Sequence, residues 1–114
     1  MDDRQELDIL VVTTTVGSRT DAQSLAAAVI AERLAACAQL DDTVLSIYRW
    51  QGSVQEEAEV RLTFKTTVGA EAALRAFLAS RHPYELPQMT SWRADASPAY
   101  AQWVRGEVVV RPAG

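Results

Sequence analysis

Between Thr43 and Lys65 the sequence alternates with a period of two on both sides of Gln51-Gly52, and few folds can satisfy that pattern. Before the break, Val44, Ser46, Tyr48 and Trp50 fall on one side of an extended chain and Leu45, Ile47 and Arg49 on the other. After it, Ala58, Val60, Leu62 and Phe64 read as the inward set. Glu57, Glu59, Arg61, Thr63 and Lys65 read as the outward set. Period-two alternation puts each set on one face of a strand. Gln-Gly between two such runs signals a tight turn, so the region predicts a long antiparallel hairpin. Its arms exceed what a lone domain of this size needs, and part of the hairpin is expected to be covered by something else.

The remaining segments fit around that hairpin. Leu7 to Val12 is a short apolar run that reads as a buried strand and ends in Thr13-Thr14-Thr15. Gly17 and Ser18 break it. Thr20 with Gln23 then forms a capping box, which predicts a helix over Asp21 to Ala36 with Ala26, Ala27, Ile30 and Leu34 on one face. A second helix begins at Gly69, with Leu74, Phe77 and Leu78 in helical register, and His82-Pro83 ends it. Leu86 to Trp92 supplies a further strand with Pro87 near its start. The order predicts one α+β domain over residues 1–114, a ferredoxin-like split β-α-β plait (βαββαβ). A C-terminal helix from Pro98 to Arg105 and a short strand at Val108-Val109-Val110 extend beyond it, and this coda is expected to pack on a neighbouring subunit. There is no internal repeat, low-complexity stretch or linker.

With 114 residues there is room for one core, and 48% hydrophobic against 23% charged residues is an ordinary globular balance. A net charge of -4, with arginines scattered singly and Lys65 the one lysine, argues against nonspecific nucleic-acid binding and against an anionic membrane surface. No apolar run reaches the length of a membrane span. The single cysteine cannot close an intrachain disulfide, and the first six residues are acidic where a signal peptide is basic. The expectation is a cytoplasmic protein.

Neither Gly-x-Gly nor Gly-Lys-Ser is present, and no serine sits in a nucleophile elbow, which removes the commonest enzymatic readings. Cys37 reads most simply as a buried small hydrophobe, and more sharply as a soft ligand for copper or zinc. As a catalytic thiol it would need His82, the only histidine, as its base, and nothing marks an orienting group or oxyanion site. The chain is therefore expected not to be an enzyme. His82 itself reads either as a residue placed on a helix C-terminus or as a ligand contact. It opens the stiff segment His82-Pro83-Tyr84-Glu85-Leu86-Pro87, which fixes the directions of Tyr84 and Glu85. One chain lacks Cys-x-x-Cys and His-x-His, so a metal site must recruit carboxylates, tyrosine or a second subunit. Tyr48, Trp50, Trp92, Tyr100 and Trp103 suit core or interface packing. Glu57, Glu59, Arg61 and Lys65 read as a solvated face, and Glu59 and Lys65 would line a polar cleft if that face met a neighbour.

Several pieces, taken in order, resemble the CutA divalent-cation-tolerance family from about Ile9 to Val104. They are Val12-Thr13-Thr14, Leu34-Ala35-Ala36-Cys37, Ser46-Ile47-Tyr48-Arg49-Trp50-Gln51-Gly52, Glu59 with Lys65-Thr66, the His82 to Pro87 segment, and Tyr100 with Trp103. The resemblance implies a ferredoxin-like subunit in a homotrimer with hairpin arms reaching between subunits. It implies a role in tolerance of copper and other divalent cations without a required cofactor, and an architecture similar to the PII signalling proteins. It carries over Tyr48, Trp50, Glu59, Lys65 and Tyr84 as an intersubunit cleft, and it points to Cys37, His82 and Glu85 as metal contacts. An alternative expectation is a PII-like regulatory trimer holding a small anionic effector on Lys65. Gln88 stands where the family usually carries an acidic residue, Thr15-Val16 where a proline is frequent, and Ala38-Gln39 for Val-Asn.

Overall fold

The computed structural model describes residues 8–109. In chain order these form β1 (Asp8–Val16), α1 (Arg19–Ala31), β2 (Cys37–Leu40), β3 (Val44–Trp50), β4 (Ser53–Thr66), a 3-10 turn (Val68–Ala70), α2 (Glu71–Arg81), β5 (Thr90–Asp95) and α3 (Pro98–Glu107). The sheet runs β2-β4-β1-β5, with β3 continuing along β4 beyond β2, and all its pairings are antiparallel. This is the mixed α+β plait expected from the sequence, with its second strand split in two. Leu40 lies opposite Leu62 and Val44 opposite Glu59, so Asp41 to Thr43 face only Val60 and Arg61. One extra residue makes a bulge that shifts the alternation, and an Arg61–Asp41 ion pair at 2.8 Å pins it.

The pairing defines two faces. Leu10, Val12 and Val16 on β1 and Val60, Leu62 and Phe64 on β4 pack under Ala22, Leu25, Ala26 and Val29 of α1 and Leu74 and Leu78 of α2. On the opposite face, Ala101, Val104 and Val108 cover Ile9 and Ala70. The coda therefore buries Ala101, Val104 and Val108 on its own chain, while Trp103 stays exposed. Val108 and Val109 are not in a strand; the Val109 N–H bonds the Arg33 carbonyl at 3.0 Å. Val110, and Leu7 at the expected start of the first strand, lie outside the described residues.

Helix α1 is capped by Ser18, whose hydroxyl accepts from the Asp21 N–H at 3.1 Å, not by Thr20. It ends at Ala31 rather than Ala36. Arg33 takes φ of 57° while its N–H reaches Ile30 and that of Leu34 reaches Val29, a Schellman ending without glycine. The Arg33 guanidinium in turn holds the Glu107 and Gly106 carbonyls at the end of α3. Of the expected face, Ala26 and Leu34 are buried, but the helix completes it with Ala22, Leu25 and Val29, and Ile30 and Ala27 are exposed. At the hairpin tip Gln51 and Gly52 have φ of 48° and 84°, the two positive angles a tight two-residue turn requires.

Two further expectations change at β4. Ala58 is exposed, because the helical layer stops at Val60 while the strand runs on. Glu59, expected on a solvated face, is only 6% exposed. The segment between α2 and β5 covers it, and for that reason β5 begins at Thr90 instead of Leu86.

Candidate functional site

β5 accompanies β1 only as far as Thr13, leaving the last three residues of β1 with a free edge on that side. The His82 to Met89 segment wraps this edge. Nδ1 of His82 accepts the Tyr84 N–H at 3.1 Å, which places the ring proton on Nε2, 2.9 Å from both the Thr15 carbonyl and Thr14 Oγ1. The imidazole thus satisfies an edge carbonyl and turns the chain around the sheet. Burial holds it below its ordinary pKa, against the opposing pull of the Thr15 carbonyl and the Glu59 charge.

Past the edge, Tyr84 lies on the sheet face opposite α1 and α2, and its hydroxyl donates to Glu59 Oε2 at 2.9 Å. A Cβ on Gly17 would stand 3.3 Å from that hydroxyl, so the small residue after β1 makes room for it. Tyr84 and the root of the hairpin enclose an open groove of about 800 Å3. Tyr48, Trp50 and Tyr84 supply its rings and Glu57, Glu59 and Glu85 its carboxylates; no lysine, arginine or histidine lines it. Burial raises the Tyr84 phenol far above its ordinary pKa, with the Glu59 hydrogen bond and charge adding to it. The Tyr48 phenol is raised as well, first by desolvation and then by Glu57 and Glu59.

Of the expected cleft residues, Tyr48, Trp50, Glu59 and Tyr84 come together. Lys65 does not: it lies six residues from Glu59 toward the other end of β4, and its Nζ donates to Gln39 Oε1 at 2.9 Å. The expected metal contacts are also separated. Cys37 pairs with Lys65, which puts its half-buried thiol on the α3 face of the sheet, beside the Tyr100 hydroxyl. His82 bonds Thr14, whose side chain points to the α1 and α2 face, since Thr14 pairs with the core residue Leu62. Glu85 is exposed at the groove. Among the described residues no three His, Cys, Asp or Glu side chains converge on one point. Sequence reasoning missed Glu57 as a groove residue. Its position two before Glu59 was the available signal, because it places both carboxylates on one face.

The sequence profile of the CutA1 divalent ion tolerance protein matches residues 10–107. The chain belongs to the CutA1 family. A divalent-cation tolerance protein CutA from Citrobacter koseri is 43% identical over 91 residues, covering 77% of this chain and 79% of that protein. The structure of CutA from Synechococcus elongatus superposes with a TM-score of 0.85 at 38% identity, covering 90% of this chain and 92% of that one. A structure described as the PII-like protein CutA from Nostoc sp. PCC 7120 matches with a TM-score of 0.84 at 30% identity, over 90% and 99% of the two chains. The matched span takes in every CutA1-like piece of the sequence, including the hairpin and the His82 to Pro87 segment. Among the described residues no helix is long and apolar enough to cross a membrane.

Proposed function

We propose that the chain acts in divalent-cation tolerance as a cytoplasmic CutA1-type homotrimer, without enzymatic activity, and that copper is the cation concerned. The observation that carries the assembly is the bare face of the hairpin. Leu45 and Ile47 on β3 are 64% and 62% exposed, and they lie on the same face as Val54 and Ala58 of β4. That face continues the core face of the sheet past the last helix. Glu56 and Arg49 share this face, opposite Ile47 and Val54, but four exposed apolar residues on a protruding arm fit a second subunit better than water.

A copper site drawing on Cys37, His82 and Glu85 needs ligands from different subunits, because one chain holds Cys37 and His82 on opposite faces of the sheet. Cys37 is the stronger of these contacts: thiolate is a soft donor, whereas both ring nitrogens of His82 already have partners. Native mass spectrometry with a slight excess of Cu(II) tests the reading. A trimer gaining copper in multiples of three, and losing it in Cys37→Ser, supports assembly and direct binding together. A trimer gaining none retains the assembly and removes direct binding. A monomer overturns both.

The PII-like alternative places a small effector between arm and neighbour. The groove supports a small-molecule site, but Lys65, the cation assigned to an anionic effector, stands apart from it.

A further inference from the structure

Glu59 is the least explained group in the chain. It is 6% exposed, yet no lysine, arginine or histidine pairs with it among the described residues, and the Tyr84 hydroxyl is its one hydrogen-bond donor there. A largely buried carboxylate with a single neutral donor favours a cationic partner, and its second oxygen is not sealed from solvent. Its carboxylate borders the groove, along with those of Glu57 and Glu85.

We propose that this groove binds a small organic cation, a primary or quaternary amine, with its charge at Glu59 and its carbon skeleton against Tyr48 and Tyr84. The inference goes beyond the metal-tolerance reading and does not depend on it.

Three observations select this ligand class. First, the lining is acidic and aromatic with no basic side chain, which repels phosphates and carboxylates and attracts ammonium groups. The raised phenols of Tyr48 and Tyr84, burial being the first cause and the neighbouring carboxylates the next, agree with a negative field. Second, aromatic faces beside a carboxylate recognise alkylammonium groups through cation–π attraction. Third, a groove of about 800 Å3 is the size of a small-molecule site and far exceeds a bare ion. A divalent ion needs several oxygens converging on one point, and these carboxylates do not converge.

The test is calorimetric titration of the full-length protein at low salt with spermidine and with choline, beside ATP and Mn(II). One of the two amines is expected to bind once per chain, more weakly as salt rises. Glu59→Gln removes the charge but keeps an acceptor for Tyr84, and it should weaken binding at least tenfold. Tyr48→Ala should weaken it independently, which keeps the test decisive if Glu59→Gln folds poorly. Lys65→Ala should leave it unchanged. Failure of both amines to bind, amine affinity indifferent to Glu59→Gln and Tyr48→Ala, or preferential binding of ATP or Mn(II) at Glu59 overturns the proposal. So does a Glu59→Gln protein that changes its assembly state while the unaltered protein binds neither amine. In that case the partner of Glu59 is a cation from a second copy.

Discussion

Tyr84 reaches Glu59 because His82 holds its backbone, and the hold depends on a neutral ring. Protonating Nδ1 would set an N–H against the Tyr84 N–H it now accepts. The folded-state pKa lies below the ordinary 6.5, chiefly through burial. Between those two values the unfolded chain binds more protons, so stability rises with pH there. Melting temperature is therefore expected to fall as pH drops through about 6.5 and to level off below the folded-state pKa. His82→Gln should flatten that slope; an unchanged slope would assign it to another group. Gly17→Ala tests the same contact from the other side, since its methyl would meet the Tyr84 hydroxyl. It should disturb the Tyr84–Glu59 bond, visible as an altered tyrosine absorbance titration, whereas an unchanged titration would mean that Tyr84 yields without losing Glu59. The stiffness of the His82 to Pro87 segment was legible in the sequence. The burial of Glu59 was not, because alternation assigns a residue to a face and says nothing of what later covers that face.

Among the elements, β1, the β3–β4 hairpin and its turn at Gln51-Gly52 were the legible part, since their period and turn chemistry are local, whereas β2 was not read and β5 was begun four residues early. The helix start was ambiguous on local grounds. Ser18 and Thr20 both stand three residues before a side chain able to close a cap, Asp21 and Gln23. The structure selects Ser18. Ser18→Ala is expected to cost about 1 kcal/mol and Thr20→Ala much less, as read from urea midpoints. Equal costs would leave the capping hydroxyl without its assigned role. The helix end was hidden for a different reason. Arg33 adopts a conformation that usually favours glycine and is retained by contacts with residues 106 and 107, more than seventy positions away. The bulge at Asp41 to Thr43 was equally out of reach, because it exists only as a mismatch of register with β4.

The molecule measures 49 × 27 × 24 Å, an elongation that comes with a 14-residue strand reaching beyond the helices that cover its other half. The two halves of β4 therefore answer mutation differently. Phe64 is fully buried, and Phe64→Ala should cost about 3–5 kcal/mol, lowering the urea midpoint whatever the assembly state. Leu45 and Ile47 touch little of their own chain, so charging them removes no core contact. Leu45→Lys with Ile47→Lys should leave the far-UV circular dichroism of the subunit intact while light scattering shows loss of the proposed trimer. An unaltered mass would mean that the arm is not the joint between subunits. Loss of dichroism together with mass would show that the arm supports the fold of its own chain. Either result bears on the groove, because Tyr48 and Trp50 occupy the other face of the same arm. If neighbouring subunits clamp the apolar face, the aromatic face is fixed as well, and ligand affinity should fall already in Leu45→Lys alone, which substitutes no residue of the groove, whereas Ile47 lines it.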